Sequence, residues 1–287
     1  MKQTCKLILC GLSFAGFIGS AFLAVLVMSR ASPVNQKKCG IALTQFWARL
    51  LLRIIGIQAI SSRFAQRLFD VQTQGCLIVC NHQSYLDILA LAAFFPVQFV
   101  AKREVSDWPV IGLMAKLAGT IFIDRSSVRQ SMCCTLEIAE SLGQGLNVLI
   151  FPEGTSSNGW QVLPFKPMLM LAALKTQLPV LPLTLNYVSI NQQPITEKTL
   201  ASFCWYGEME FIKHFWNILA LRKIEVTLEL HSMLNPPHPA TSQELARLAH
   251  EKVASRFIAP PTTTSTTVEN LSNFNEFVLD DALIVGE

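Results

Sequence analysis

Charge is scarce in this 287-residue chain: Asp, Glu, Lys and Arg make up 15% of it, against roughly 25% in an ordinary soluble protein. No run of Lys and Arg is longer than two, so the basic residues do not form the stripe that nucleic acid requires. No Cys-x-x-Cys pair occurs among the eight cysteines, Cys5, Cys10, Cys39, Cys76, Cys80, Cys133, Cys134 and Cys204. Several of them sit inside apolar runs. They read as small buried hydrophobes in a reducing compartment, not as a zinc site or a disulfide framework. No serine sits in a Gly-x-Ser-x-Gly elbow, so the usual signature of an α/β hydrolase or thioesterase is missing. From Pro261 onward there is neither Lys nor Arg, only the acids Glu269, Glu276, Asp280, Asp281 and Glu287. The formal charge of +3 therefore hides a basic body of +8, with 23 basic residues against 15 acidic ones. Such a body suits an anionic membrane surface or a phosphorylated substrate.

What the chain does have is apolar residue, 51% of the total, and a mean hydropathy of +0.39. That composition excludes disorder for most of the chain. Leu7 to Met28 carries no charge over 22 residues. As a helix it would be about 33 Å long, enough to cross a hydrocarbon core of about 30 Å. A cleaved signal peptide is the competing reading, but its apolar region is usually shorter and no A-x-A site follows. An uncleaved anchor is expected, over residues 1–30. The flanking charges, Lys2 and Lys6 before it and Arg30, Lys37 and Lys38 after it, lean only weakly towards a cytoplasmic body.

Ile41 to Ile57 places Leu43, Phe46, Trp47, Leu50, Leu51, Ile54 and Ile55 on one helical stripe. This is a core-facing helix or one lying in the membrane interface; residues 31–65 are expected to form the interfacial segment. From about residue 70, short apolar runs alternate with helical ones. Cys76–Cys80, Gln98–Ala101, Thr120–Asp124, Asn147–Phe151, Pro179–Asn186 and Lys223–Leu230 read as strands. Asp87–Phe95, Val128–Leu142 and Thr241–Phe257 read as helices, the last opened by Thr241 with Glu244 three residues on. Alternation of this kind predicts an α/β fold, a central sheet flanked by helices. It would occupy residues 66–259, and 260–287 would be a low-complexity acidic tail without fixed structure.

Polar residues with chemistry follow the strands. Asn81-His82-Gln83-Ser84-Tyr85-Leu86-Asp87 comes directly after the first buried run. A His with an Asp five residues on can pair if the chain turns, and the free ring nitrogen can then take a proton from a hydroxyl. A structural Asp beside a loop His is the plainer alternative. Gly119-Thr-Ile-Phe-Ile-Asp124-Arg125 ends in a guanidinium placed to grip phosphate, or in a surface ion pair. Phe151-Pro152-Glu153-Gly154-Thr155-Ser156 puts a glutamate on a tight turn, either to bind a substrate hydroxyl or to lock the first loop. Val180-Leu-Pro182-Leu-Thr-Leu185 has a proline inside an apolar strand, which implies an edge or a bulge.

In this order and spacing the four blocks resemble the glycerolipid acyltransferase family of the PlsC type, over roughly residues 70–235. Phe99-Val-Ala-Lys102-Arg-Glu and Trp108-Pro109-Val-Ile-Gly112 look like that family's stretch between the first two blocks. The resemblance implies acyl transfer from acyl-CoA or acyl carrier protein to the free hydroxyl of a lysolipid at the membrane. No bound cofactor, metal or acyl-enzyme is implied. By the same resemblance His82 is the general base and Asp87 orients it. Lys102 is a candidate for the oxyanion or the donor. Arg125, Glu153, Gly154 and Thr155 bind the acceptor, with Gly119, Ser156 and Lys166 as secondary candidates. Members that form phosphatidic acid usually carry an Arg where this chain has Ser156. The acceptor expected first is 1-acyl-glycerol-3-phosphate, because Arg125 remains; lyso-ornithine lipid or another lysophospholipid is the alternative. A membrane-tethered lipid-binding protein that has lost activity is a further alternative, opposed by intact His82, Asp87 and Glu153. His214, His231, His238 and His250 lack a carboxylate at dyad spacing and read as structural or exposed. Trp205–Met209 is an aromatic cluster that lines a channel or belongs to the core.

Overall fold

A computed structural model describes residues 2–62, 75–124, 127–236, 241–261 and 282–285. Two helices come first, α1 (Gln3–Val27) and α2 (Pro33–Ile55). Ser32 caps α2 by accepting the Asn35 N–H, Pro33 sits in its first turn, and Gly56 ends it at φ 94°. Gly56 is needed there: a Cβ would lie 2.4 Å from the Arg222 carbonyl oxygen.

The body is a mixed sheet of β1 (Ile57–Ser62), β2 (Leu77–Cys80), β3 (Val97–Lys102), β4 (Ile121–Ile123), β5 (Asn147–Ile150), β6 (Val180–Ile190), β7 (Gln193–Pro194), β8 (Ile224–Leu230) and β9 (Ala282–Val285). The order is β4-β3-β5-β2-β6-β8-β1-β9, with β7 hairpinned onto β6. From β4 to β6 every pairing is parallel; β8 runs antiparallel to β6, β1 parallel to β8, and β9 antiparallel to β1. The expected mixed sheet flanked by helices is therefore present. So is the expected apolar N-terminal helix, α1.

Strand alternation sorts the core into two layers. Ile78 and Cys80 of β2 face α2, α3 (Leu86–Phe94) and α7 (Phe211–Ala220), among Leu52, Ile55, Leu91, Phe94 and Ile218. Leu77 and Val79 face the other way, onto α5 (Val128–Gly143), α6 (Leu171–Thr176) and α8 (Ser242–Ser255), among Ile138, Leu142, Ala173 and Ala249. Buried on both sides, β2 and the run Val148–Ile150 of β5 are apolar throughout. Their polar residues begin where the strands end. A short helix α4 (Ile111–Leu117) links β3 to β4.

Three local expectations change. Pro182 lies in a central strand, not at an edge: it pairs with Val79, and its carbonyl accepts the His231 N–H just where β8 stops. Its missing N–H therefore falls at the end of a ladder. The bulge in β6 comes later, between Tyr187 and Ser189. Within the expected unstructured tail, residues 282–285 form strand β9 on β1. And α2 buries Ile41, Ala48, Leu51, Leu52 and Ile55 against the body, while Phe46 of the expected stripe stays outside.

Candidate active site

Parallel pairing from β4 to β6 sets the carboxyl ends of these strands along one edge, where α/β sheets hold reactive groups. His82 follows β2, and Phe151–Ser156 follows the neighbouring β5. Lys102 ends β3, two strands from β2, or about 10 Å at the usual strand spacing. Arg125, after β4, lies outside the described residues. The first and third sequence blocks are in contact, and the second stands further along the same edge.

Asp87 sits in the first turn of α3 and is fully buried, yet it is well served with donors. Its Oδ2 accepts the Gln83 N–H at 2.7 Å and the Ser84 N–H at 2.9 Å, and it lies 2.8 Å from His82 Nδ1. A carboxylate can only accept, so Nδ1 carries the proton and the lone pair of the neutral ring falls on Nε2. The ring stacks on Phe151 at 4.0 Å and keeps 18% exposure. Its Nε2 makes no hydrogen bond among the described residues. This is a fixed base with one open nitrogen.

Glu153 holds the loop in place. Its Oε1 accepts the His82 N–H at 2.8 Å and its Oε2 the Leu163 N–H at 3.0 Å. Of the two uses open to Glu153 in the sequence, the structure realises the lock. Each oxygen accepts one backbone N–H and the side chain is buried, so the lock is what the geometry shows and an acceptor-binding role stays a proposal. Burial pushes its carboxyl up to about 8, against the two N–H donors that favour the ionised form. Gly154 makes the turn at φ 78°, buried, while Thr155 stands exposed beside it. Ser157 N–H reaches the His82 carbonyl at 2.8 Å, a second stitch between the loops.

Ser156 turns inward and its hydroxyl donates to the Trp205 carbonyl. The Trp205 N–H in turn donates to the Gln83 carbonyl at 2.9 Å. The Trp205 ring packs edge-on to Tyr85, Trp108 and Phe211, with centroids 5.8 to 6.1 Å apart. Lys102 and Lys166 are exposed, and Gly119 accepts a bond from the Gln98 amide at its carbonyl. Among the other histidines, His214 meets the Tyr85 hydroxyl at 2.9 Å, His231 the Thr184 hydroxyl at 2.8 Å and His250 the Val162 carbonyl at 3.3 Å. Burial, with Lys252 and Arg256 nearby, holds His231 down to about 4. These three are structural; His238 lies outside the described residues. Among the described residues no group of three or more His, Cys, Asp or Glu could hold a metal ion.

Three neighbours of the site were not singled out from the sequence. Asn81 pins the end of β2 to β6, donating to the Leu185 carbonyl at 2.9 Å and accepting its N–H at 2.8 Å. Phe151 supports the imidazole from below. Tyr187, on β6, donates its hydroxyl to Asp87 Oδ1 at 2.6 Å. A phenol in a strand that is buried almost throughout is the one sequence signal for it, since a buried hydroxyl needs a partner.

Residues 61–186 match a family model described as Acyltransferase. The lyso-ornithine lipid O-acyltransferase of Brucella abortus is 31% identical over 220 residues, 74% of this chain and 80% of that protein. The chain belongs to the acyltransferase family. The 1-acyl-sn-glycerol-3-phosphate acyltransferase of Neisseria gonorrhoeae is 34% identical over 155 residues, 54% of this chain. That match spans 58% of the Neisseria protein's own length. Among solved structures, the acyltransferase PlsC of Thermotoga maritima superposes with a TM-score of 0.58 at 21% identity, covering 88% of this chain and 95% of that one. It shares the fold.

Proposed function

We propose that this acyltransferase-family chain moves a fatty acyl group from a thioester, acyl-CoA or acyl carrier protein, to the free hydroxyl of a membrane lysolipid. The observation that carries the reading is the buried Asp87 on His82 Nδ1 with Nε2 left open. Nε2 takes the proton of the acceptor hydroxyl as its oxygen attacks the thioester carbonyl. The tetrahedral intermediate collapses and expels the thiolate, which takes the proton back from the imidazolium. An ester and a free thiol result. Asp87 stabilises the imidazolium between the two steps. Lys102 is the candidate for the oxyanion or for the anionic donor.

The acceptor read first is 1-acyl-glycerol-3-phosphate, with Lys102, Lys166 and, by the resemblance, Arg125 supplying positive charge for its phosphate. Lyso-ornithine lipid is a second reading with an observation of its own. The Ser156 hydroxyl is spent on the Trp205 carbonyl, so no cation projects from the position where phosphatidic-acid-forming members usually carry Arg.

The seat in the membrane is read from α1. Its buried stripe is Lys6, Cys10, Ser13, Phe17 and Ala21, and Leu12, Phe22, Leu23 and Leu26 face outward. Lys6 Nζ donates to the Ile55 and Leu221 carbonyls at 2.5 and 2.7 Å. At the far end of the hairpin, Lys37 Nζ donates to Ser141 at 3.2 Å. Both ends of the α1–α2 hairpin are thus tied to the body. That supports a monotopic seat, α1 lying along the body with its outer face in lipid and the site facing the cytoplasm.

The test offers labelled acyl-CoA or acyl carrier protein, with each lysolipid, to membranes carrying the chain. Ester product that disappears in His82→Ala, with the variant still membrane-bound, is expected. Near-normal turnover in that variant would sink the mechanism.

A further inference from the structure

The family-model match ends at residue 186, one residue before a group that donates to the buried carboxylate of the site. We infer that Tyr187 is a positioning residue of the reaction, the third member of a buried His82–Asp87–Tyr187 chain that fixes the Asp87 carboxylate and sets how strongly it holds the imidazolium. The inference rests on the reading of His82 as general base.

Four donors surround the fully buried Asp87. Three meet Oδ2: His82 Nδ1 and the N–H groups of Gln83 and Ser84. All three come from the loop that Asp87 itself closes. Among the described residues Oδ1 has one partner, the Tyr187 hydroxyl at 2.6 Å, the shortest of the four. It comes from 100 residues away, across the sheet. Tyr187 is buried, and its ring is stacked on Phe203 at 4.1 Å, so the phenol has little freedom to turn elsewhere. The arrangement splits the duties of one carboxylate. Oδ2 faces the base and the loop, and Oδ1 is anchored to the sheet.

Without the phenol, Oδ1 would lie in a buried site with no donor, and the carboxylate could rotate about its own bond. Negative charge now drawn towards Oδ1 would concentrate on Oδ2, against the imidazole. His82 would then hold its proton more tightly and return it to the leaving thiolate less readily. The ionisable groups that face this chain are Glu153 from the β5 loop, Cys80 from β2 and Cys204 beside Phe203. Burial raises the thiols of Cys80 and Cys204, and burial beside Asp87 raises the Tyr187 phenol. At neutral pH all three therefore stay uncharged, and Tyr187 remains a donor.

Tyr187→Phe is the variant, because it keeps the ring on Phe203 and removes only the hydroxyl. Its kcat is expected to fall about tenfold with KM within twofold, the loss of one buried charged hydrogen bond. The acid limb of its kcat/KM profile should move up by about half a pH unit or more, as His82 gains affinity for its proton. Titration of His82 by NMR in isotope-labelled full-length protein reads the same shift without any turnover. An upward shift by NMR in a variant whose folded fraction matches the parent supports the inference even if no acyl transfer is found, in which case only the catalytic reading fails. A His82 midpoint that stays put or moves down overturns it. So does a loss of kcat that merely follows the loss of folded protein.

Discussion

The two ends of the sheet edge are built differently. Around β2 and β5 the polar groups are buried and answered: Asp87 by four donors, Glu153 by two backbone amides, Asn81 by both backbone groups of Leu185. Along β3 and the loop at Lys166, the cationic side chains are exposed. The difference matches the work each end would do in the proposed reaction. A base must meet a hydroxyl within a few tenths of an ångström, and burial with full hydrogen bonding gives that precision. A charged headgroup must enter from water or from the membrane surface, and an exposed lysine on a flexible stem can follow it. Damage at the first end should therefore reach the reaction or the fold itself, and at the second end only the grip on the acceptor.

The sharpest test of that contrast is His82→Ala, expected to lower transfer by about 10²- to 10⁴-fold, the usual worth of a general base. Vesicle flotation should be unchanged, since α1 and α2 make no use of the imidazole.

Glu153→Gln comes next. In the folded chain burial holds the Glu153 proton up to about pH 8, against a reference value of 4.5. The folded state thus binds more protons than the unfolded one across that window. Its contribution to stability is fully present below the unfolded value and is lost as pH rises through about 8. The parent's melting temperature should accordingly decline across this range, and the decline should flatten in Glu153→Gln. The variant should also lose about 1–3 kcal/mol at neutral pH, because its amide can accept only one of the two N–H groups. A parallel decline in both proteins would contradict the buried lock.

Ser156→Arg probes the border between the two ends. It should raise turnover with 1-acyl-glycerol-3-phosphate relative to lyso-ornithine lipid by about tenfold, the worth of one charge-assisted contact. The Trp205 loop, losing its hydroxyl donor, should become easier to cleave with protease. An unchanged acceptor ratio would place the headgroup away from position 156. The smallest effect belongs to Lys166→Gln: about a threefold rise in KM for the phosphate acceptor, fading as salt is added, as befits an exposed charge.

Much of this could be read from the residues. Runs such as Cys76–Cys80 and Asn147–Phe151 are apolar because both sheet faces are covered, and that alone places the polar blocks at strand ends. His82 and Asp87 are close in sequence, so their pairing needed only a local turn. Tyr187 and Asn81 were harder, because their partners lie about a hundred residues away and depend on which strands become neighbours. Glu153 kept two readings until its oxygens could be assigned to the His82 and Leu163 amides. Pro182 misled, since nothing local reveals that β8 ends beside it. Short elements such as α4, α6 and β1 are stabilised by what they pack against more than by their own periodicity.

Lys6 carries a consequence for how the molecule is made. Its two acceptors are the carbonyls of Ile55 and Leu221, the second 215 residues further along the chain. A ribosome adding roughly 5–20 residues per second needs on the order of ten seconds or more to cover that stretch. For all of that time α1 has emerged and its final dock does not exist. On the proposed membrane seat, lipid would shelter the nascent hairpin before its own protein can hold it, so the order of synthesis would favour delivery to the bilayer ahead of completion of the site.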